Sequence, residues 1–256
     1  MRNFVPANDK TGIIAVQPMQ AVQHLFYCPL IADTHVLSEE ESAHAIRVLR
    51  RTTGDMLHIA DGKGMLYEAQ ITNPHPKHCE VAIVEQVQQA KHHPVQLHIA
   101  VAPTKNIERI EWLAEKCTEI GVDTLTPLLC RYSERKQIRV DRLEKIVLAA
   151  AKQSLSAYLP ELHEMTPVEQ VICSATEQRR YIAHSSPWTD KKVLRDELRN
   201  TPTASTIVLI GAEGGFTDEE VRMAMEHGFV PVSLGDARLR TETAAVVATT
   251  LVQNID

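Results

Sequence analysis

The chain has 256 residues, 44% of them hydrophobic and 23% charged, with a formal net charge of −6. That is enough apolar material for one large or two ordinary cores, which excludes a disordered chain. The negative balance argues against a protein that coats nucleic acid without specificity, and no apolar run approaches the roughly 20 residues of a membrane helix.

In chain order, residues 1–23 show no sustained periodicity and read as an extension before "HLFYCPL", which begins at His24. In "LSEEESAHAIRVLRR", Ser38 and Glu41 stand at capping-box spacing, and Ala43, Ile46 and Leu49 recur at helical spacing. After Gly54 the pattern alternates, with Asp61-Gly62 between two strand-like runs as a hairpin turn and Cys79–Val87 as a further strand. A small β-rich domain over 24–92 therefore closes before His93-Pro94.

From residue 95 strands and helices alternate. "VQLHIAVAP" is followed by the amphipathic "NIERIEWLAEKCTEIG" with Gly121 as terminator, then "VDTLTPLL" and "DRLEKIVLAAAKQSL". "RRYIAHS" with "KKVLRDELR" as a helix, "STIVLIG" with "DEEVRMAMEHG", and "FVPVSLG" with "TETAAVVATTLVQNI" complete the alternation. The pattern predicts a mainly parallel sheet covered on both faces over 95–256. Trp112 reads as partly buried helix packing.

Scattered Cys28, Cys79, Cys117, Cys130 and Cys173, without a C-x-x-C pair, point to reduced and buried thiols rather than a disulfide or zinc framework. No secretory leader is evident, so a soluble cytoplasmic protein with no membrane is expected. "HPKHC" and His92-His93 read as exposed loop, with no metal expected.

The segment "LIGAEGGFTDEE" ends a strand in three glycines and enters a helix whose Thr217 and Glu220 form a second capping-box pair. Ligands of open α/β sheets sit at the carboxyl ends of strands, and glycine lets the backbone approach them. Gly211, Gly214 and Gly215 therefore outline a binding turn; the plain alternative is a tight loop that needs glycine. "SLGDARLRTETAA" supplies a second strand end, where Arg238, Arg240 and Glu242 crowd a short loop. A dinucleotide site fits poorly, because "GAEGGF" lacks the required glycine spacing and Glu213 opposes a pyrophosphate.

These two segments, with "HAIRVLRRTTGD", "DGKGMLYEAQI", "EWLAEKCTEIGVDTLTPL" and "AAAKQSLSAYLPEL", resemble the RsmE family of methyltransferases, which act on N3 of a uridine in 16S (small-subunit) ribosomal RNA. The resemblance implies a PUA-like β-barrel domain for RNA, an α/β SPOUT-type domain with a deep trefoil knot, and a homodimer. It further implies that S-adenosyl-L-methionine is held by Leu209, Gly211, Glu213, Gly214, Gly215, Ser233, Leu234, Gly235, Leu239, Arg240 and Thr243. Arg240 is expected to stabilise the developing uracil anion, and Glu242 to act as base or to orient Arg240. Ala212 and Ser156 depart from the family pattern, which has proline and a basic residue there.

Residues 131–152 are locally basic, and Arg131, Arg135 and Lys152, with Lys105 and the N-terminal Arg47, Arg50, Arg51 and Lys63, are the expected phosphate contacts. Two rivals stand beside the enzyme reading. One is a non-catalytic assembly factor that binds ribosomal RNA; the weaker is a nicotinamide-dependent oxidoreductase.

Overall fold

The computed structural model describes residues 23–91, 93, 95–185, 189–199 and 204–254. The expected extension lies outside these residues except for Gln23.

The first sheet has the order β1 (Leu25–Tyr27), β2 (Met56–Ala60), β3 (Met65–Asn73), β4 (Glu80–Gln88). β2, β3 and β4 pair antiparallel, whereas β1 lies parallel to β2. The hairpin forms where Asp61-Gly62 predicts it, because Asp61 Oδ1 accepts the N–H groups of Lys63 and Met65. Val36 bridges Glu80, so the pairing returns from β4 to the chain leaving β1. Phe26, Leu57, Ile59, Ala69, Ile71 and Val81 fill the space enclosed. Between β1 and β2 run α1 (Ile31–Thr34), α2 (Glu39–Ala43) and a π-helical turn over His44–Val48. Ser38 caps α2 by accepting the Glu41 N–H, but the box is not reciprocal: the Glu41 carboxylate turns instead to Lys152, 2.6 Å away.

The second sheet is parallel throughout, in the order β10 (Lys192–Val193), β12 (Val230–Ser233), β9 (Arg179–Ala183), β11 (Thr206–Ile210), β5 (Leu97–Val101), β6 (Thr124–Leu129), β7 (Glu161–Leu162). β8 (Thr166–Pro167) joins the far end of β6. One core, including Ile99, Leu113, Val208 and Ala245, lies between the sheet and the helices α3 (Ile107–Ile120), α4 (Val140–Gln153), α6 (Leu194–Leu198) and α8 (Thr241–Gln253). The other, including Ile182, Ile207, Leu209 and Phe229, packs against α5 (Val168–Ser174) and α7 (Asp218–Glu226). Strands buried on both faces explain why β11 is apolar at every position except Thr206. Asn106 caps α3, and Gly121, at φ 111, ends it.

Two details differ from the sequence reading. "KKVLRDELR" is not all helix: Lys192 and Val193 pair with Val232 and Ser233, and α6 begins at Leu194. β7 and β8 went unread because two-residue strands carry no alternation, and α5 because seven residues span only about two helical turns.

The two units share a seam of directed hydrogen bonds. The Gln89 amide donates to the Leu155 carbonyl and accepts from the Ala157 N–H, and the Tyr158 hydroxyl donates to the Gln89 carbonyl at 2.9 Å. Gly64 has φ 103, and a Cβ there would lie 2.4 Å from the Tyr158 ring, so only glycine fits the seam at that point.

Candidate active site

Four loops leave the carboxyl ends of β5, β6, β11 and β12 and bind one another. Glu213, in the β11 loop, accepts the Lys105 N–H at 3.1 Å from the β5 loop. Arg135, in the β6 loop, donates to the carbonyls of Thr104 (3.1 Å) and Lys105 (2.6 Å). The β12 loop is tied in where the Thr241 hydroxyl donates to the Gly211 carbonyl. Glu220 performs two tasks: one oxygen completes the capping box with the Thr217 N–H, and the other accepts the Arg131 N–H at 2.8 Å.

The glycines divide into two kinds. A Cβ on Gly211 would lie 2.8 Å from the Gly215 carbonyl carbon, and one on Gly214 would lie 3.0 Å from the Tyr132 Cβ. These two permit close packing. Gly215, at φ 76, and Gly235, at φ 137, have nothing within 4 Å of an added Cβ, so their backbones border open space. Ser233 holds the Gly235 turn, its hydroxyl donating to the Gly235 carbonyl and accepting the Gly235 N–H. Leu234 and Leu239 are partly buried, Thr243 likewise, and Arg240 is exposed at the N-cap of α8.

Glu242 corrects one expectation. Its partner is Arg109 of α3, at 3.7 Å, and not Arg240. The residue is only 8% exposed, and Oε2 is buried without a hydrogen-bond partner. A second correction concerns Leu209, whose side chain is fully buried in the sheet core while its backbone runs between β5 and β9. Its side chain does not reach the crevice.

The basic candidates separate as well. Lys152 is committed to Glu41, and its side chain is 23% exposed beside a Glu41 side chain that is 6% exposed, so it serves the seam rather than a phosphate. Arg135 braces the β5 loop, and Lys105 extends outward with Glu134 3.1 Å from its ammonium. Arg47, Arg50, Lys63 and Arg131 are exposed, and Arg51 is half-buried.

Three groups at the site were not read from the sequence. Arg109 sits in the first turn of α3, after the loop that leaves the carboxyl end of β5, and its position was the available signal. Tyr132 is 52% exposed against Gly214. His184, beyond β9, has its pKa pushed down by burial and, secondarily, by Lys191, which favours a neutral imidazole. No pattern marked the last two. Trp112, expected as partly buried packing, is 43% exposed. Cys173 is exposed while the other four thiols are buried, and burial pushes the Cys117 thiol up to about 12.

Residues 91–253 match the model of an RNA methyltransferase domain, and residues 37–84 that of an RNA methyltransferase PUA domain. The ribosomal RNA small subunit methyltransferase E of Synechocystis sp. is 30% identical over 222 residues, covering 86% of this chain and 72% of the relative. The chain belongs to the RsmE family of RNA methyltransferases. A Porphyromonas gingivalis crystal structure described as a probable rRNA-methyltransferase superposes with a TM-score of 0.82 at 37% identity, covering 90% of this chain and 98% of the other. The RsmE protein of Neisseria gonorrhoeae bound to S-adenosyl methionine superposes with a TM-score of 0.79 at 25% identity, covering 90% and 96%. The likeness to these structures thus extends over both units. Among the described residues of this RsmE family member, no helix is long and apolar enough to cross a membrane, and no cluster of metal-ligating side chains occurs.

Proposed function

We propose that the chain transfers a methyl group from S-adenosylmethionine to N3 of a uridine in small-subunit ribosomal RNA. One observation carries the reading: the backbones of Gly215 and Gly235, in the loops after β11 and β12, border open space at the carboxyl ends of the parallel strands, with Glu213 in the first of these loops and Glu242, whose Oε2 is buried without a partner, in the helical turn after the second. A sulfonium cation suits that donor set, since carboxylates at Glu213 and Glu242 attract positive charge and repel a pyrophosphate. The residues present therefore fit the cofactor. Gly211, Gly214, Gly215, Ser233, Leu234, Gly235, Leu239 and Thr243 would hold it, and when bound it supplies an electrophilic methyl group.

The remaining work belongs to the chain's own residues. N3 of uracil lies on the Watson–Crick edge, so the base must be unpaired or flipped out. Arg240, exposed at the start of α8, faces the anion that develops as the N3 proton leaves. Glu242 Oε2 is the candidate acceptor of that proton, and Arg109 keeps its partner oxygen in place. Arg47, Arg50, Arg51, Lys63 and Arg131 contact phosphates. A homodimer is part of the proposal, supported by the exposed Trp112 on α3, and so is a knotted path of the chain through the β12 loop.

Small ribosomal subunits from cells lacking the gene, incubated with the protein and methyl-labelled S-adenosylmethionine and then digested, provide the test. Nucleoside mass spectrometry is expected to find the label in 3-methyluridine. Unlabelled RNA, with folded protein and intact subunits, would favour the non-catalytic binding factor.

A further inference from the structure

A cavity of about 170 Å³ opens in the N-terminal unit, far along the chain from the glycine loops, lined by Gln23, His24, Phe26, Arg51, Met56, Leu57 and His58. Phe26 and Leu57 belong to the core, so its inner wall is apolar. Its polar lining comes from one guanidinium, two imidazoles and one amide.

Arg51 is the unusual member. Its Nε is buried and has no hydrogen-bond partner, and no ion pair reaches its guanidinium among the described residues. A buried guanidinium N–H without an acceptor costs stability, even where the rest of the group meets water. The backbone is bent to produce this arrangement: the π-helical turn ends with the Leu49 N–H on the His44 carbonyl, and Arg50 then adopts φ 54. A left-handed conformation costs a non-glycine residue about 1 kcal/mol. The Arg51 N–H returns to the Ala45 carbonyl at 3.0 Å, which fixes the reversal. Arg47 and Arg50 remain exposed on the same turn.

We infer that this cavity is a phosphate site, in which Arg51 supplies a charged N–H fork and His24 and His58 supply imidazole N–H donors to one phosphate group. In the enzyme that phosphate belongs to the RNA backbone, which rests on the RNA methyltransferase reading above. The cavity gives the N-terminal unit a fixed point of attachment, distinct from a diffuse basic face. A guanidinium in a partly apolar pocket binds phosphate more strongly than one in water, because the local dielectric is lower.

Arg51→Met tests the inference, since methionine keeps the apolar stem and removes the charge. In phosphate-free buffer the variant is expected to melt at or above the wild-type temperature. A clear fall would overturn the inference, because Arg51 would then be structural. Added inorganic phosphate, at ionic strength matched with chloride, is expected to raise the melting temperature of the wild type more than that of the variant. Equal shifts would remove the site. In methyl transfer to small subunits, KM for the subunit is expected to rise about tenfold, with the affinity for S-adenosylmethionine unchanged. Phosphate binding with an unchanged KM would overturn the RNA assignment and leave a site for free phosphate. His58→Gln is expected to weaken phosphate binding in the same direction. The phosphate arm needs no turnover, so failure of the methyltransferase reading is seen separately in the wild type.

Discussion

Replacing Lys152 by methionine should destabilise the protein while leaving the active site intact. The ammonium lies 2.6 Å from Glu41 Oε1, and the other oxygen of Glu41 is buried with no hydrogen-bond partner. Removing one member of a buried pair costs roughly 3–5 kcal/mol. Here the lysine side chain is 23% exposed, so water already screens part of the interaction. The expected loss is therefore about 2–3 kcal/mol, or on the order of 4–12 °C in melting temperature for a chain of this size. Thermal unfolding followed by circular dichroism measures it, and pairing the change with Glu41→Leu should recover most of the loss by making the contact apolar. Unchanged melting together with weaker RNA binding would refute the argument and return Lys152 to the phosphate contacts.

Arg240→Ala is expected to lower kcat by about 10²–10³ with melting unchanged, and near-normal turnover would remove Arg240 from the mechanism. In Gly211→Ala the added Cβ meets the Gly215 backbone, so a loss of about 1–3 kcal/mol should accompany weaker cofactor binding, read by denaturant melts and calorimetry. Burial works to raise the Glu177 carboxyl, but hydrogen bonds from His98, whose Nδ1 is 2.7 Å away, and from backbone N–H groups hold it below the usual carboxylate range. A lowered carboxyl pKa stabilises the fold above the ordinary glutamate value of about 4.3 and ceases to do so as pH falls through the lowered value. Glu177→Gln should therefore cost roughly 1–2 kcal/mol at pH 7, with the gap closing in acid, and a gap constant with pH would refute the assignment.

Much of this architecture is legible because local signals agree with it. The Asp61-Gly62 turn, the Ser38 and Thr217 caps and the Gly121 terminator mark their elements directly, and the apolar β11 announces a strand covered on both faces. The glycine turn is legible as well, although spacing alone does not separate glycines that pack from glycines that border space. What the sequence concealed depends on contacts between distant segments. Glu41 and Lys152 are 111 residues apart, so one reads as a capping partner and the other as a phosphate contact. Glu242 and Arg240 are neighbours in sequence, yet the helix carries the glutamate inward towards Arg109 and leaves the arginine outside. Tyr132 and His184 lie in loops, where no periodicity reports orientation.

The seam around Gln89, Tyr158 and Lys152 also bears on how large a substrate the protein needs. Two modest attachments on one stiff frame act as a single tight one, because the first engagement holds the second at high effective concentration. Avidity of this kind is worth roughly 10²–10⁴ in affinity, and it disappears when the ligand is too short to span both places. A short oligonucleotide carrying the target uridine would keep the chemistry and lose the span. On the proposed reading the frame would act as a gauge of distance, selecting a folded RNA by the spacing of its parts as well as by the base presented.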